Sequence, residues 1–237
     1  MKTQNKFERA LNSPFFKYMN RLFWLFVVNF IFCLVSVLSL LVLFIPGLVS
    51  LHTIAYKMIH DEDDVNPVIM FFKEIKEQWS FSWRLSLLTF AVLFIATSVY
   101  YFDILYMEHF GKDLFSWFSI IFMSIVLLVG ISIFINLMLY NSYIKDDTFK
   151  MMILKSALIT SKKLFKSILN LAILIAFSLI LYLFPILIPF FSFSFYIYII
   201  EAINRKMYQT IALEEHERMI QEENLFLPIK VESEDKE

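Results

Sequence analysis

The residues from which chemistry could be built are few in this chain. Among 237 residues there are four histidines, one cysteine and three glycines. His52, His60, His109 and His216 lie on different segments and at no metal-ligand spacing. No pair of histidines stands at helical spacing as in a metalloprotease, and there is no nucleophile elbow. So few glycines all but exclude a phosphate-cradling loop. Lone Cys33 allows no intrachain disulfide or cysteine-rich metal site, and its apolar setting reads as a buried, inert thiol. No catalytic residue, cofactor or metal is assigned, and the chain reads as a non-enzyme.

His52 is the ionisable group set well inside an apolar run, which makes it a functional suspect. It also stands five residues before Lys57, so interfacial packing is the plainer reading. The acidic cluster Asp61, Glu62, Asp63, Asp64 and the pair Asp146, Asp147 read first as solvated turns. A cation site or a docking patch is the sharper alternative for the 61–64 cluster, and Asp63, Asp64, Asp146 and Asp147 are candidate functional or partner-contact residues. Asn29, Asn136, Asn141 and Asn170 fit hydrogen bonds between helices. Glu201 and Arg205, four apart, suit a helical ion pair. No chain of carboxylates crosses the apolar runs, which weakens any proton-pump reading.

The elements that position these residues follow from composition. Hydrophobic residues make up 59% and charged ones 18%, against about 45–50% and 25% in soluble domains. Mean hydropathy is +0.67. This excludes disorder and argues against a soluble globule. A net charge of −1 argues against nucleic acid as a partner. The apolar residues fall in uncharged runs at 22–56, 85–102, 114–144 and 167–200. The fold class is therefore all-α: a polytopic transmembrane helix bundle of about five spans, four to six, with amphipathic cytoplasmic connector helices.

Pro46-Gly47 predicts a break in the first run, with a single crossing favoured over two short spans. Val68, Phe72, Ile75, Trp79 and Trp83 recur at helical spacing, as expected of a helix lying in the membrane interface or against the bundle. Phe72 and Trp79 are its candidate partner contacts. Pro185 and Pro189 divide the last run, leaving a short fifth span from about Phe190 to Ile203. Residues 1–203 form one bundle and 204–237 a polar, acidic tail. An offset of 83 residues relates Gly47 to Gly130, and Asp63, Asp64 to Asp146, Asp147. It suggests an internal repeat of 22–102 and 105–185, with chance alignment of similar membrane segments as the competing account.

Lys and Arg are concentrated in 57–84 and 145–166, which the positive-inside rule places in the cytoplasm with the C-terminus. The basic N-terminal tail conflicts with a single first crossing, and a hairpin within 22–56 would remove the conflict. Phe7, Leu11, Phe15, Tyr18 and Leu22 share one helical face suited to the interface. The expected location is the cell membrane, with the bilayer as the first partner.

The stretch from Tyr18 to Leu88 resembles the YesL-like family of small bacterial integral membrane proteins, a domain of unknown function. The resemblance rests on Asn20-Arg21-Leu22-Phe23-Trp24, on Ile45-Pro46-Gly47-Leu48, on Tyr56-Lys57-Met58, and on Asn66-Pro67 with Phe71-Phe72-Lys73-Glu74. Gly47, Leu48, Val49 and Ser50 depart from the small residues usual after the proline, and the acidic turn lacks its glycine. What the resemblance implies is an accessory or regulatory component of carbohydrate uptake, bound to a sugar-transporter complex or to a second copy of itself. A small transporter built on the repeat is the alternative, with Asn29, Asn136 and Asn170 converging at mid-membrane.

Overall fold

A computed structural model describes residues 13–60, 66–111, 113–145 and 147–226. Eight α-helices occur among them: α1 Pro14–Leu38, α2 Phe44–Ile59, α3 Pro67–Glu77, α4 Trp79–Phe110, α5 Leu114–Tyr143, α6 Phe149–Lys162, α7 Leu164–Leu183 and α8 Ile188–Phe226. A 3-10 turn, Pro185–Leu187, joins α7 to α8. Five of them, α1, α4, α5, α7 and α8, are long and apolar enough to cross a bilayer. The chain is a multi-pass membrane protein.

Local signals set the helix starts. The Ser13 hydroxyl accepts from the Phe16 N–H, with Pro14 at the first helical position. Asn66 caps the Val68 N–H before Pro67 in the same way. Asp113 caps Ser116 at 2.9 Å after the turn at Gly111, whose φ of +90° suits glycine.

Side-chain pairs fix how the helices run. His52 meets Glu201 and His60 meets Gln209, both 149 residues apart. Phe44 packs on Phe193 at the same offset. So α2 and α8 are parallel and in register. α1 runs the opposite way: Leu25 accepts from the Ser194 hydroxyl at 2.8 Å, and Asn29 reaches the Ile188 and Pro189 carbonyls at the start of α8. Tyr100–Ser124 and Asp103–Ser119, each 2.8 Å, pair α4 with α5 as a hairpin. Asn170–Asn204 and Phe177–Tyr196 pair α7 with α8. α1 and α2 therefore form a hairpin, although α2 has 16 residues and rises about 24 Å at ~1.5 Å per residue. The start of α1 lies at the same end as α3, α6 and the later half of α8, here the connector end. Lys17 and Arg21, in the first turns of α1, therefore lie at the connector end.

The break in the first run differs from its expected place. It lies at Ser39–Leu43, where Leu40 and Leu41 take φ of 51° and 67°. The Leu41 N–H donates to the Ser36 carbonyl at 2.8 Å, and the Leu43 N–H donates to the Ser39 hydroxyl. Pro46 breaks nothing, because it is the third residue of α2, where the N–H has no intrahelical partner to lose. Gly47 serves close packing: a Cβ there would stand 2.6 Å from the Phe32 ring.

Two other elements are longer than expected. α4 takes in Trp79 and Trp83, which the sequence pattern assigns to the connector. α8 continues for 39 residues through Ile203, because its inward stripe of Ile197, Ile200, Glu201, Asn204 and Tyr208 does not stop there. The interior has two parts. Val28, Phe32, Ile54 and Phe71 pack against the first half of α8. Leu85, Leu139, Tyr140 and Met152 pack around its second half. In their most apolar windows α1 and α8 are 28% buried and α4, α5 and α7 11%, so the former are central and the latter face lipid. Phe90, Phe94, Phe118 and Phe122 are exposed on the α4–α5 hairpin, where acyl chains replace water.

The glycines separate these roles. Gly47→Ala pushes a buried Phe32 ring aside and is expected to cost about 1–3 kcal/mol. A Cβ at Gly130 meets nothing within 4 Å, so Gly130→Ala is expected to be neutral or to stabilise by up to ~1 kcal/mol. Thermal unfolding in detergent reads both.

Candidate functional site

The register between α2 and α8 places two ionisable groups together in the interior. His52 Nδ1 lies 3.0 Å from Glu201 Oε1, with His52 6% and Glu201 0% exposed. The expected Glu201–Arg205 pair is replaced by this one. Glu201 lies on the inward stripe of α8, whereas Arg205 is exposed. Aromatic groups close the surroundings. Tyr143 stacks on Tyr208 at 5.4 Å, Tyr56 meets the edge of Tyr143 at 4.7 Å, and His60 packs on Tyr56 at 4.2 Å. His60 Nε2 is 2.9 Å from the Gln209 amide nitrogen. A carboxylate and an imidazole enclosed in this way hold α2 against α8. Desolvation offsets much of their attraction, so the pair sets register more than it adds net stability.

A second polar centre lies at the foot of α3. Glu74 is 2% exposed, although the sequence pattern puts it with the solvated Lys73, Lys76 and Glu77. Lys57 and Lys145 approach its carboxylate at 3.5 and 3.2 Å, and the Gln78 amide donates to it at 2.8 Å. Gln78 stands in the one-residue break between α3 and α4. It also donates to Thr53 at 3.1 Å and accepts from Asn141 at 2.6 Å. One amide thus ties α2, α3 and α5 together. Burial would raise the Glu74 pKa, but Gln78, Lys145 and Lys57 outweigh it and hold the carboxyl below its usual value.

Asp147 anchors a third centre. It accepts from the Tyr140 hydroxyl and from Lys155, and Lys155 also binds Glu215 at 2.8 Å. Against partial burial, Lys155 and Tyr140 hold the Asp147 carboxyl low. Burial would lower Lys155, yet Asp147 and Glu215 hold it above its usual value. These bonds fix α6 to α5 and to the extended part of α8.

The asparagines do not all converge. Asn29 receives the Phe193 and Ser194 N–H groups and donates to Ile188 and Pro189, at the far end of α8. Asn136 bonds Thr160, Ser167 and Tyr208, and Asn170 bonds Asn204. The last two belong to one α5–α6–α7–α8 cluster, and Asn29 stands apart. The mid-membrane convergence that a transporter was expected to show is not formed.

Of the remaining candidates, Phe72 and Trp79 are 49% and 45% exposed, and Trp79 stacks on Trp83. The face of α3 turned inward carries Met70, Phe71 and Glu74 instead. Asp63, Asp64 and Asp146 lie outside the described residues. Among the described residues no group of three His, Cys, Asp or Glu could hold a metal ion. Neither type nor spacing marks Glu74, Gln78 or Glu201 as a site residue. The available signal for Glu201 was its place in the 197–208 stripe, which a boundary at 203 cuts.

Residues 16–104, covering α1 to most of α4, match the family model described as protein of unknown function, DUF624. No curated protein matches the chain. No solved structure matches it.

Because folding lowers the Glu74 and Asp147 pKa values, their contribution is complete above the ordinary carboxylate range. It is lost as pH falls through the folded values. Unfolding in detergent from pH 7 to pH 3 is expected to show this acid limb. Glu74→Gln is expected to lose about 1–3 kcal/mol at neutral pH, with its deficit against wild type shrinking at the acid end.

Proposed function

We propose that the chain is a non-enzymatic accessory subunit of the cell membrane, which docks a partner at its connector end. The observation that carries this reading is the use of the polar groups there. His52, Glu74, Gln78, Asp147 and Glu201 are turned inward and bonded to one another or to neighbouring helices. Apolar Ile69, Phe72 and Trp79 face outward. A site that turns over a substrate keeps polar groups free to reach it; here they fix a frame. α8 extends past the bundle with Leu213, Met219 and Ile220 exposed. Aromatic and methionine residues of this kind suit a docking face.

The resemblance over Tyr18 to Leu88 supports a link to carbohydrate uptake, with a sugar-transporter complex as the partner. The balance of Lys and Arg supports a cytoplasmic connector end. The transporter alternative would need a polar path, and the separation of Asn29 from Asn136 and Asn170 speaks against it.

A photo-crosslinking residue at Phe72 or Met219, activated in intact cells, tests the docking face. The expected result is a crosslink to a component of a sugar-uptake system, abolished by Trp79→Ala with the fold unchanged. Crosslinks to lipid alone would contradict it.

A further inference from the structure

Two openings lie one above the other along the seam between α4, α5 and α6. The first is a polar cleft of about 450 Å³ at the connector end, lined by Gln78, Arg84, Asn141, Lys145 and Thr148 among others. The second is an apolar groove of about 370 Å³, lined by Leu88, Val92, Gly130, Phe134, Leu137 and Ile153 among others. They are contiguous on all three helices. Arg84 stands one turn from Leu88 on α4, Asn141 one turn from Leu137 on α5, and cleft-lining Met152 adjoins Ile153 on α6.

The charge in the cleft is unbalanced. Arg84 is exposed and makes no hydrogen bond or ion pair among the described residues. Among the described residues Lys145 has one carboxylate partner, Glu74, which it shares with Lys57. The acids that line the cleft are already matched: Glu77 by Lys73 at 3.6 Å, and Asp147 by Lys155 at 2.8 Å, whose other carboxylate, Glu215, is also held by Arg218. Among the described residues the cleft therefore carries a surplus of positive charge. Thr148 caps α6 without a side-chain bond to its first turn, which adds the positive end of a helix dipole.

The two openings also match the depth of a lipid. Trp79 and Trp83 are exposed on the first turns of α4, at the level that tryptophan favours in a bilayer, the headgroups. From Arg84 to Leu93, the deepest groove residue on α4, is nine residues, about 13 Å along a helix. That is close to one leaflet of a ~30 Å hydrocarbon core. Gly130 keeps the groove open, since a side chain there would enter empty space.

We propose that this seam binds one anionic phospholipid, its phosphate at Arg84 and Lys145 and one acyl chain in the groove beneath. Neutral lipid lacks the charge that the cleft is short of, and a free phosphate would leave the groove unfilled.

The test uses purified full-length protein in detergent, stripped of lipid and offered dioleoyl phosphatidylglycerol, dioleoyl phosphatidylcholine or inorganic phosphate, with native mass spectrometry counting what is bound. Wild type is expected to retain one phosphatidylglycerol in preference to phosphatidylcholine. Arg84→Gln should weaken phosphatidylglycerol about fivefold, the worth of one basic residue near an anionic surface, and Arg84→Lys should keep most of it. Gly130→Trp should reduce retention of both lipids while thermal unfolding stays near that of wild type. Equal retention by wild type and both loss variants would overturn the proposal. So would displacement of the lipid by inorganic phosphate, or a Gly130→Trp variant that turns a dimer into a monomer, which would make the groove a seam between copies.

Discussion

A polar side chain buried in this protein has no water to return to, so it must find another polar group or a free backbone atom. That constraint organises α8, where it is met at the main contacts, although among the described residues the Tyr196 hydroxyl and the second oxygen of Glu201 stay without a hydrogen bond. Asn29 occupies the carbonyls and N–H groups at the start of α8, Glu201 takes His52, Asn204 takes Asn170, and Tyr208 takes Asn136. Each bond ties α8 to a different helix. Between apolar helices in lipid there is little hydrophobic drive to choose one register over another, and polar pairs are what discriminate. A one-residue slip of α2 against α8 would strand both His52 and Glu201.

The same constraint shapes the connector end. Gln78 sits where a helix is interrupted, and its amide reaches the three helices that meet there. A comparable arrangement appears further along the chain, with Asn136 83 residues after Thr53 and Thr160 82 residues after Gln78. Thr53 bonds Gln78 just past α3, and Asn136 bonds Thr160 near the end of α6. In both places a short helix is followed after one residue by a long span. At the connector end these buried polar groups are committed to holding helices, while Ile69, Phe72 and Trp79 stand outward, and this favours docking over catalysis.

The spans were legible because uncharged runs of bilayer length admit few other readings. Finer features were not, and for local reasons. Pro46-Gly47 carries the strongest breaking signal in the first run, but a proline in the first turn of a helix costs nothing, and the actual break falls on leucines. Glu74 and Glu201 obey surface rules, with charged neighbours at helical spacing, and the long-range partners that bury them are invisible to spacing. His52 was legible as an ionisable group in an apolar run, although its partner 149 residues away was not. The spacing of Phe72 and Trp79 puts them on one stripe of a connector. The structure keeps them outward and divides them between α3 and α4.

The register of α2 on α8 is the central claim, and a double-mutant cycle on His52 and Glu201 tests it most directly. The account predicts that His52→Phe and Glu201→Leu each cost about 3–5 kcal/mol, since each strands a buried partner. The double variant should cost much less than their sum. Additivity of the two single effects to within about 0.5 kcal/mol would mean that the residues do not interact, and would contradict it.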